Sequence, residues 1–411
     1  MLDIKFIREN VDLIKENCQK RHVEVDINTL INLDRDRRSA QQQIEELRAQ
    51  RKSHSKGKPS EEDIAKLRAV GDEIALLEQK VAIVEQNYLD LLFKVPNLTH
   101  PESPIGGEND FKVVTTVGKP PQFSFEPKDH DELLLNLDLI DFERGAKVAA
   151  SKFYFTKNNL VRLNYALINY GLDILSEAGF TIIETPDVAK NEILSGAGFN
   201  PRGTETQIYS IENTDLSLIG TAEITMGGYH ANEILDLSQG PKKYAALSHC
   251  YRTEAGAYGK TSKGLYRVHQ FTKLEMFVYC KPEQSEQMHQ ELLALEQKII
   301  NGLELPYQVI DVASGDLGGP AYRKYDIEAW MTMKNDYGEI TSTSNCTDYQ
   351  ARRLNIKHRK EDGETEYVHT LNGTAVVLSR FPLALIENNQ QADGSIAVPK
   401  ALQPYTGFAK L

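Results

Sequence analysis

The sequence predicts an α+β protein in two parts, an N-terminal antiparallel helical coiled-coil arm followed by a larger domain on an antiparallel-rich sheet. Three observations carry that expectation. A seven-residue apolar repeat runs through residues 28–95, and the strand-like segments beyond residue 123 do not alternate with helices of crossover length. Neither a GxGxxG after a strand nor a GxxxxGK[ST] loop is present, so a doubly wound nucleotide-binding sheet has no signature here.

The arm is the clearest element. Between Asn28 and Val95 the chain is rich in Glu, Gln, Arg and Leu, and Pro59 is the only proline, which is helix composition. Leu67, Val70, Ile74, Leu77, Val81, Val84, Tyr88, Leu91 and Val95 alternate spacings of three and four. Leu30, Leu33, Ala40, Ile44 and Leu47 keep the same repeat, with Arg37 and Arg51 on the seam. So narrow a stripe requires a partner helix, and the nearest one is the other half of the segment. Gly57 and Pro59 break the pattern, and Ser60 stands as an N-cap before Glu61, Glu62 and Asp63, where the helix dipole favours acids. The arm is expected to fold back on itself and to project. Its tip carries Arg48, Arg51, Lys52, Lys56 and Lys58 with no acid between Arg48 and Pro59. Such a tip is either a solvated coiled-coil end or a clamp on a phosphate backbone, and the tip alone does not choose.

After Pro96 a linker with Pro101, Pro104, Gly106 and Gly107 leads into mixed sequence. A helix is expected from about Lys157 to Ala178, then a strand in FTIIETP. Tyr244–Arg252 and Leu265–Cys280 read as two strands joined by AGAYGKTSKG. On the second, period two puts Val268, Leu274, Met276, Val278 and Cys280 toward the core and Arg267, His269, Phe271, Lys273 and Glu275 on the other face. Arg252 and Glu254 share a face at the end of the first. Guanidinium, ring and carboxylates on one rigid surface suit a nucleotide plus an amine: Arg clamps phosphate, an aromatic stacks on a base, and a carboxylate holds an ammonium or a divalent metal. Near the C-terminus a short strand, Thr374–Leu378, is expected to run through Arg380 into a helix opened by Pro382, a natural anion site.

Bulk properties limit the partners. The chain has 411 residues, 40% apolar, and a net charge of −12, which argues against wholesale attraction to nucleic acid or an anionic membrane and leaves only local basic patches for such contacts. Cys18, Cys250, Cys280 and Cys346 form neither a disulfide framework nor a zinc knuckle. With no apolar leader and no window long enough to span a bilayer, the expectation is a soluble, untargeted protein of the reducing cytosol, without membrane contact.

Taken together, PNLTHPESPIG, FEPKDHDELLLNLDLIDFERGAKVAASKFYF, GTAEI, CYRTEAGAYGKTSKGLYRVHQFTKLEMF, SGDLGGPAYRKYDIEAW, EITSTSNCTDYQARRLNI, HTLNG and PYTGF resemble seryl-tRNA synthetase, a class II aminoacyl-tRNA synthetase. The resemblance covers nearly the whole chain, and the order and spacing of the pieces make it specific. It implies a tRNA-binding arm over residues 1–100 and a class II catalytic domain over 101–411, with ATP, magnesium, L-serine and tRNA(Ser) as ligands and a homodimer as the assembly. By that resemblance Arg252 holds the α-phosphate, Arg380 the γ-phosphate, and both are catalytic. Glu254 faces the adenine end, Phe271 stacks on the base, and Thr253, Glu339, Ile340, Thr341 and Ser342 bind the nucleotide, Glu339 and Ser342 with its magnesium. Thr221, Ala222, Glu223, Glu275, Asn372 and Thr374 would hold serine. The cations of the arm tip, with Lys260 and Lys263, would meet tRNA. At Ala375, Ser379, Phe381, Pro382 and the 197–210 segment the sequence departs from the family pattern. A relative that charges a carrier protein would not need the arm, and a non-enzymatic RNA-binding relative would show erosion of Arg252, Glu275 or Arg380.

Overall fold

The computed structural model describes residues 1–54, 60–199, 207–254 and 264–411, which form two compact units, Met1–Leu98 and Thr99–Leu411. Lys56, Lys58, Lys260 and Lys263 lie outside the described residues.

In the first unit the repeat produces helices Ile27–His54 and Glu61–Leu92. Their 28 and 32 residues correspond to about 42 and 48 Å of helix. Two ion pairs show them antiparallel: Arg37 meets Glu85 at 3.3 Å, and further along Arg48 meets Glu78 at 2.8 Å. The seam is the expected one, with Leu30, Ile44, Ile74, Tyr88 and Val95 buried. Ser60 caps the second helix through a reciprocal box with Asp63, an arrangement that satisfies otherwise orphaned donors of the first turn. Arg37 stays on an apolar seam because its cation lies 4.6 Å from the Tyr88 ring centre and bonds Asp34 and Glu85. The Asp34 side chain is itself wholly buried, bonded by Arg8 at 2.6 Å, Arg38 at 3.0 Å and Arg37 at 3.3 Å.

The second unit is built on eight strands: β1 (Lys112–Val117), β2 (Thr181–Glu184), β3 (Lys242–Tyr251), β4 (Gln270–Cys280), β5 (Tyr307–Asp311), β6 (Arg323–Met331), β7 (Asp336–Asn345) and β8 (His369–Val377). Their order across the sheet is β1-β5-β6-β7-β8-β4-β3-β2, antiparallel throughout except for the edge pair β2 and β3. Leu274, Met276, Val278 and Cys280 of β4 pack into a core shared with helices Asn158–Glu177 and Ser285–Gly302. The intervening residues Phe277 and Tyr279 join a second cluster with helices Ala222–Gly228 and Tyr349–Leu354 on the opposite face. Each large side chain so buried is worth roughly 1.5–3 kcal/mol. Further along that second face, Lys273 and Glu275 point the same way as Phe277, so the sheet's polar stretch is walled in.

Three expectations are corrected. The strand expected from Leu265 begins at Gln270, because the preceding backbone bonds elsewhere: Leu265 N–H donates to His130 and His269 N–H to the Lys152 carbonyl. The strand expected over 374–378 is longer upstream, starting at His369, since Leu371, Asn372 and Gly373 pair with both neighbours. The last long helix begins at Arg380, not at Pro382; proline fits there because the first turn of a helix leaves its N–H groups without intrahelical partners.

Candidate active site

Between the helices on the second face the sheet floors a cavity of about 510 Å³, lined by Arg252, Phe271, Glu339, Thr374 and Arg380 among others. Two irregularities of the sheet shape it. Where β6 meets β7 the register skips Ile340, and where β8 meets β4 it skips Ala375. A bulge reverses the alternation of side chains, so Glu339 lines the same cavity as Ser342 and Ser344, and Val377 the same cavity as Thr374. Strict alternation would have divided both sets between opposite faces.

On the cavity wall stand the arginines. Arg252, just past the end of β3, donates from Nε to the Gly220 carbonyl at 3.2 Å, and its Cζ lies 5.3 Å from the Phe271 ring centre. Glu254 reaches the cavity by a left-handed backbone (φ 52°) and not by strand alternation, and it pairs with Arg267 at 3.1 Å. Arg380 lies 4.9 Å over the Tyr266 ring and meets Glu339 at 3.1 Å. Desolvation alone would raise the Glu339 carboxyl, but the positive charges of Arg380, Lys324 and Arg252 bring it down to about 2. Glu339 is therefore an anion at every working pH, with the Ser342 hydroxyl beside it on the cavity wall.

Two carboxylates lie close together at the cavity wall: half-buried Glu223 borders it and buried Glu275 stands behind it. Glu275 is 1% exposed and faces Thr374 across the β4–β8 ladder. Lys273 forms an ion pair with Glu275 and donates to Thr221 Oγ1 at 2.8 Å. Glu223 accepts from Gln350 Nε2 at 2.7 Å, and burial together with the nearby Glu275 charge pushes its carboxyl up to about 7. Asn372 and Thr374 border the same cavity, positioned by Thr343, whose hydroxyl donates to the Asn372 carbonyl at 2.9 Å.

Of the residues singled out from sequence, Glu223, Arg252, Glu254, Phe271, Glu339, Ile340, Thr341, Ser342, Asn372, Thr374 and Arg380 border the cavity. Thr221, Ala222 and Glu275 stand behind that wall, buried; Thr221 caps its helix and carries Lys273, while Ala222 packs in the second core cluster. Thr253 bonds the Gln207 carbonyl through its N–H at 3.0 Å. Arg48, Arg51 and Lys52 are exposed on the first unit. Sequence reasoning gave no role to Lys273, Arg267, Tyr266, Lys324 or Gln350. Lys273 and Arg267 were visible on the alternating polar face; Lys324 and Gln350 arrive from distant segments and carry no local signal. Among the departures, Ala375, Phe381 and Pro382 are buried, Ser379 borders the cavity at φ −134°, which needs no glycine, and so do Gly198 and Phe199 of the 197–210 segment, whose residues 200–206 lie outside the described ones.

Comparison with known proteins places these units. Residues 1–99 match the family model described as seryl-tRNA synthetase N-terminal domain, and residues 207–389 match tRNA synthetase class II core domain (G, H, P, S and T). A serine–tRNA ligase of Treponema denticola is 51% identical, covering 100% of both chains, and one of Dictyoglomus turgidum is 50% identical over 100% of this chain and 99% of the relative. Among solved structures, a seryl-tRNA synthetase from Pyrococcus horikoshii complexed with ATP has TM-score 0.90 at 39% identity, covering 100% of this chain and 99% of the other. A cytoplasmic serine–tRNA ligase from Naegleria fowleri in complex with AMP has TM-score 0.84 at 31% identity, covering 100% and 98%.

Proposed function

The chain belongs to the seryl-tRNA synthetase family, and from that premise we infer how its own residues act. Its activity is that of an ATP-dependent serine–tRNA ligase on a class II synthetase core. The observation that carries the residue assignments is that two groups meet at one cavity, the arginines Arg252 and Arg380 on its wall and the carboxylates Glu223, on the wall, and Glu275, buried behind it. ATP belongs at the first and serine at the second.

In this reading the serine carboxylate oxygen attacks the α-phosphorus, the bond to pyrophosphate breaks, and seryl-adenylate forms. A hydroxyl of the terminal ribose of tRNA(Ser) then attacks the seryl carbonyl and AMP leaves. Neither step needs a covalent protein nucleophile; both need positioning and preset charge. Arg252, fixed against Gly220 and Phe271, holds the α-phosphate, with Thr253 beside it in the ATP-binding set, and Phe271 takes the base while Glu254 faces the adenine end. Arg380, ordered by Tyr266 and Glu339, holds the γ-phosphate. Glu339 and Ser342 present hard oxygen donors on one wall, a fit for the magnesium ion that accompanies ATP and screens its phosphates.

Glu275 and Glu223, with Thr221, Asn372 and Thr374, provide acceptors for the serine ammonium and partners for its hydroxyl. A site that bonds a hydroxyl strands its own polar groups when alanine binds, enough for about 10⁴-fold rejection; threonine meets a lack of room for its methyl group. Residues 1–100 would serve tRNA binding, with the coiled coil at about 28–95, and 101–411 the chemistry, the arm presenting Arg48, Arg51, Lys52, Lys56 and Lys58, and Lys260 and Lys263 meeting the acceptor end. A cytoplasmic homodimer follows from the family resemblance; among the described residues no helix is long and apolar enough to cross a membrane.

The deciding experiment is ATP–pyrophosphate exchange with serine, threonine, alanine and glycine, run on the wild type and on Arg252→Ala. Exchange should require serine, and the substitution should lower it about 100-fold or more. Exchange that ignores the amino acid, or survives the loss of Arg252, contradicts the assignment.

A further inference from the structure

His130 lies outside the cavity, 4% exposed, and joins three segments. Its Nε2 accepts the Leu265 N–H at 3.1 Å. An accepting Nε2 in a neutral ring leaves the proton on Nδ1, and Nδ1 lies 2.8 Å from Glu387 Oε1 and 2.8 Å from Asp129 Oδ1. Glu387 also accepts the Met333 N–H at 3.1 Å through its other oxygen. The ligand atoms of Asp129, His130 and Glu387 fall within 4.8 Å of one another, but the hydrogen-bond pattern consumes them: the nitrogen facing the carboxylates is the protonated one, which cannot bind a metal.

The segments so joined bear on the nucleotide end of the cavity. Leu265 is followed by Tyr266, on whose ring the Arg380 cation rests, and by Arg267, which pairs with Glu254. Glu387 sits on the helix that Arg380 begins. Gly264 completes the fit: at φ +61° an added Cβ would lie 2.0 Å from His130 Nε2.

We propose that His130 is a positioning residue for ATP: its two ring nitrogens tie the 264–267 segment to the 380–389 helix, and so fix the distance between the Tyr266–Arg380 and Arg267–Glu254 pairs. Serine's end of the cavity receives none of these bonds. The proposal rests on the synthetase reading for what the cavity binds, and on the hydrogen bonds for the tie itself.

The two nitrogens can be tested separately. In His130→Gln the longer amide can offer an acceptor where Nε2 stood; in His130→Asn the shorter one can offer a donor where Nδ1 stood. In pyrophosphate exchange, His130→Asn should raise KM for ATP about tenfold or more with KM for serine nearly unchanged. His130→Gln keeps the Leu265 bond but loses the one to Glu387, so the tie is severed at its other end and KM for ATP should rise here too, again without a matching rise for serine. Gly264→Ala, which crowds Nε2 without touching Glu387, should reproduce the Asn signature and covers the case in which the Asn variant does not fold. The proposal is overturned by an unchanged KM for ATP in His130→Asn and Gly264→Ala, by equal rises for both substrates, or by a Gln variant whose KM for ATP is unchanged. A wild type without serine-dependent exchange would sink the functional reading instead; calorimetric titration of ATP into wild type and His130→Asn would then still test the tie.

Discussion

Glu223 shows how much of this site's chemistry is decided by environment. Its ordinary value is 4.5 and burial beside Glu275 takes it up to about 7, so between those values the folded chain holds a proton that the unfolded chain releases. Stability therefore falls as pH climbs through that window and levels off above it. Glu223→Gln, which keeps an acceptor for Gln350, should remove that fall: a gain of up to about 3 kcal/mol at pH 8 and almost none at pH 4.5, read from urea midpoints at the two values. A variant equally stabilised at both would show that the carboxyl is not protonated in the fold. Sequence made Glu223 a candidate but could not show this, because the shift comes from residues 50 and more positions away. Lys273 teaches the complementary lesson. It was legible on the polar face of its strand beside Glu275, with which it pairs, yet its bond to Thr221 appears only when the Ala222–Gly228 helix is laid beside the sheet.

Elements were read with uneven success, and the reason is periodicity. The arm announced itself through a repeat sustained over many turns; Leu30, Ile44, Ile74, Tyr88 and Val95 of its seam are buried and the other apolar seam residues half-buried, with Leu92 buried in place of the expected Leu91. Strand β4 was legible from Gln270 onward, but the 265–269 segment alternates in sequence without continuing the strand: the His269 carbonyl still accepts the Arg252 N–H, while the Leu265 and His269 donors go to His130 and Lys152. The bulges at Ile340 and Ala375 left no sequence signal at all; each is set by the neighbouring strand. Deleting residues 45–75 should spare serine-dependent exchange and abolish aminoacylation of tRNA(Ser). Loss of both activities together would make the arm a folding element instead of a binding one.

For the whole molecule, composition excluded more than it identified. A net charge of −12 excluded a generally basic RNA binder, and the order of the motifs, not any single one, supplied the family. The same charge distribution makes a prediction about salt. Contacts made by a few arm-tip cations to phosphates should weaken at least about tenfold in KM for tRNA between roughly 50 and 200 mM salt, while exchange with ATP and serine barely changes. Parallel assays of charging and exchange decide it; a salt-independent KM for tRNA would return the tip cations to solvated surface. The Asp34 cluster also bears on how such a chain can exchange parts with its relatives. Asp34 is buried among Arg8, Arg37 and Arg38, and a lineage that lost the acid alone would leave three partly exposed cations facing one another, with only Arg37 still held by Glu85. A genetic crossover falling between codons 8 and 34 separates Arg8 from its acid unless both parents carry the set. Arms can be inherited as modules only when the breakpoint spares that interval.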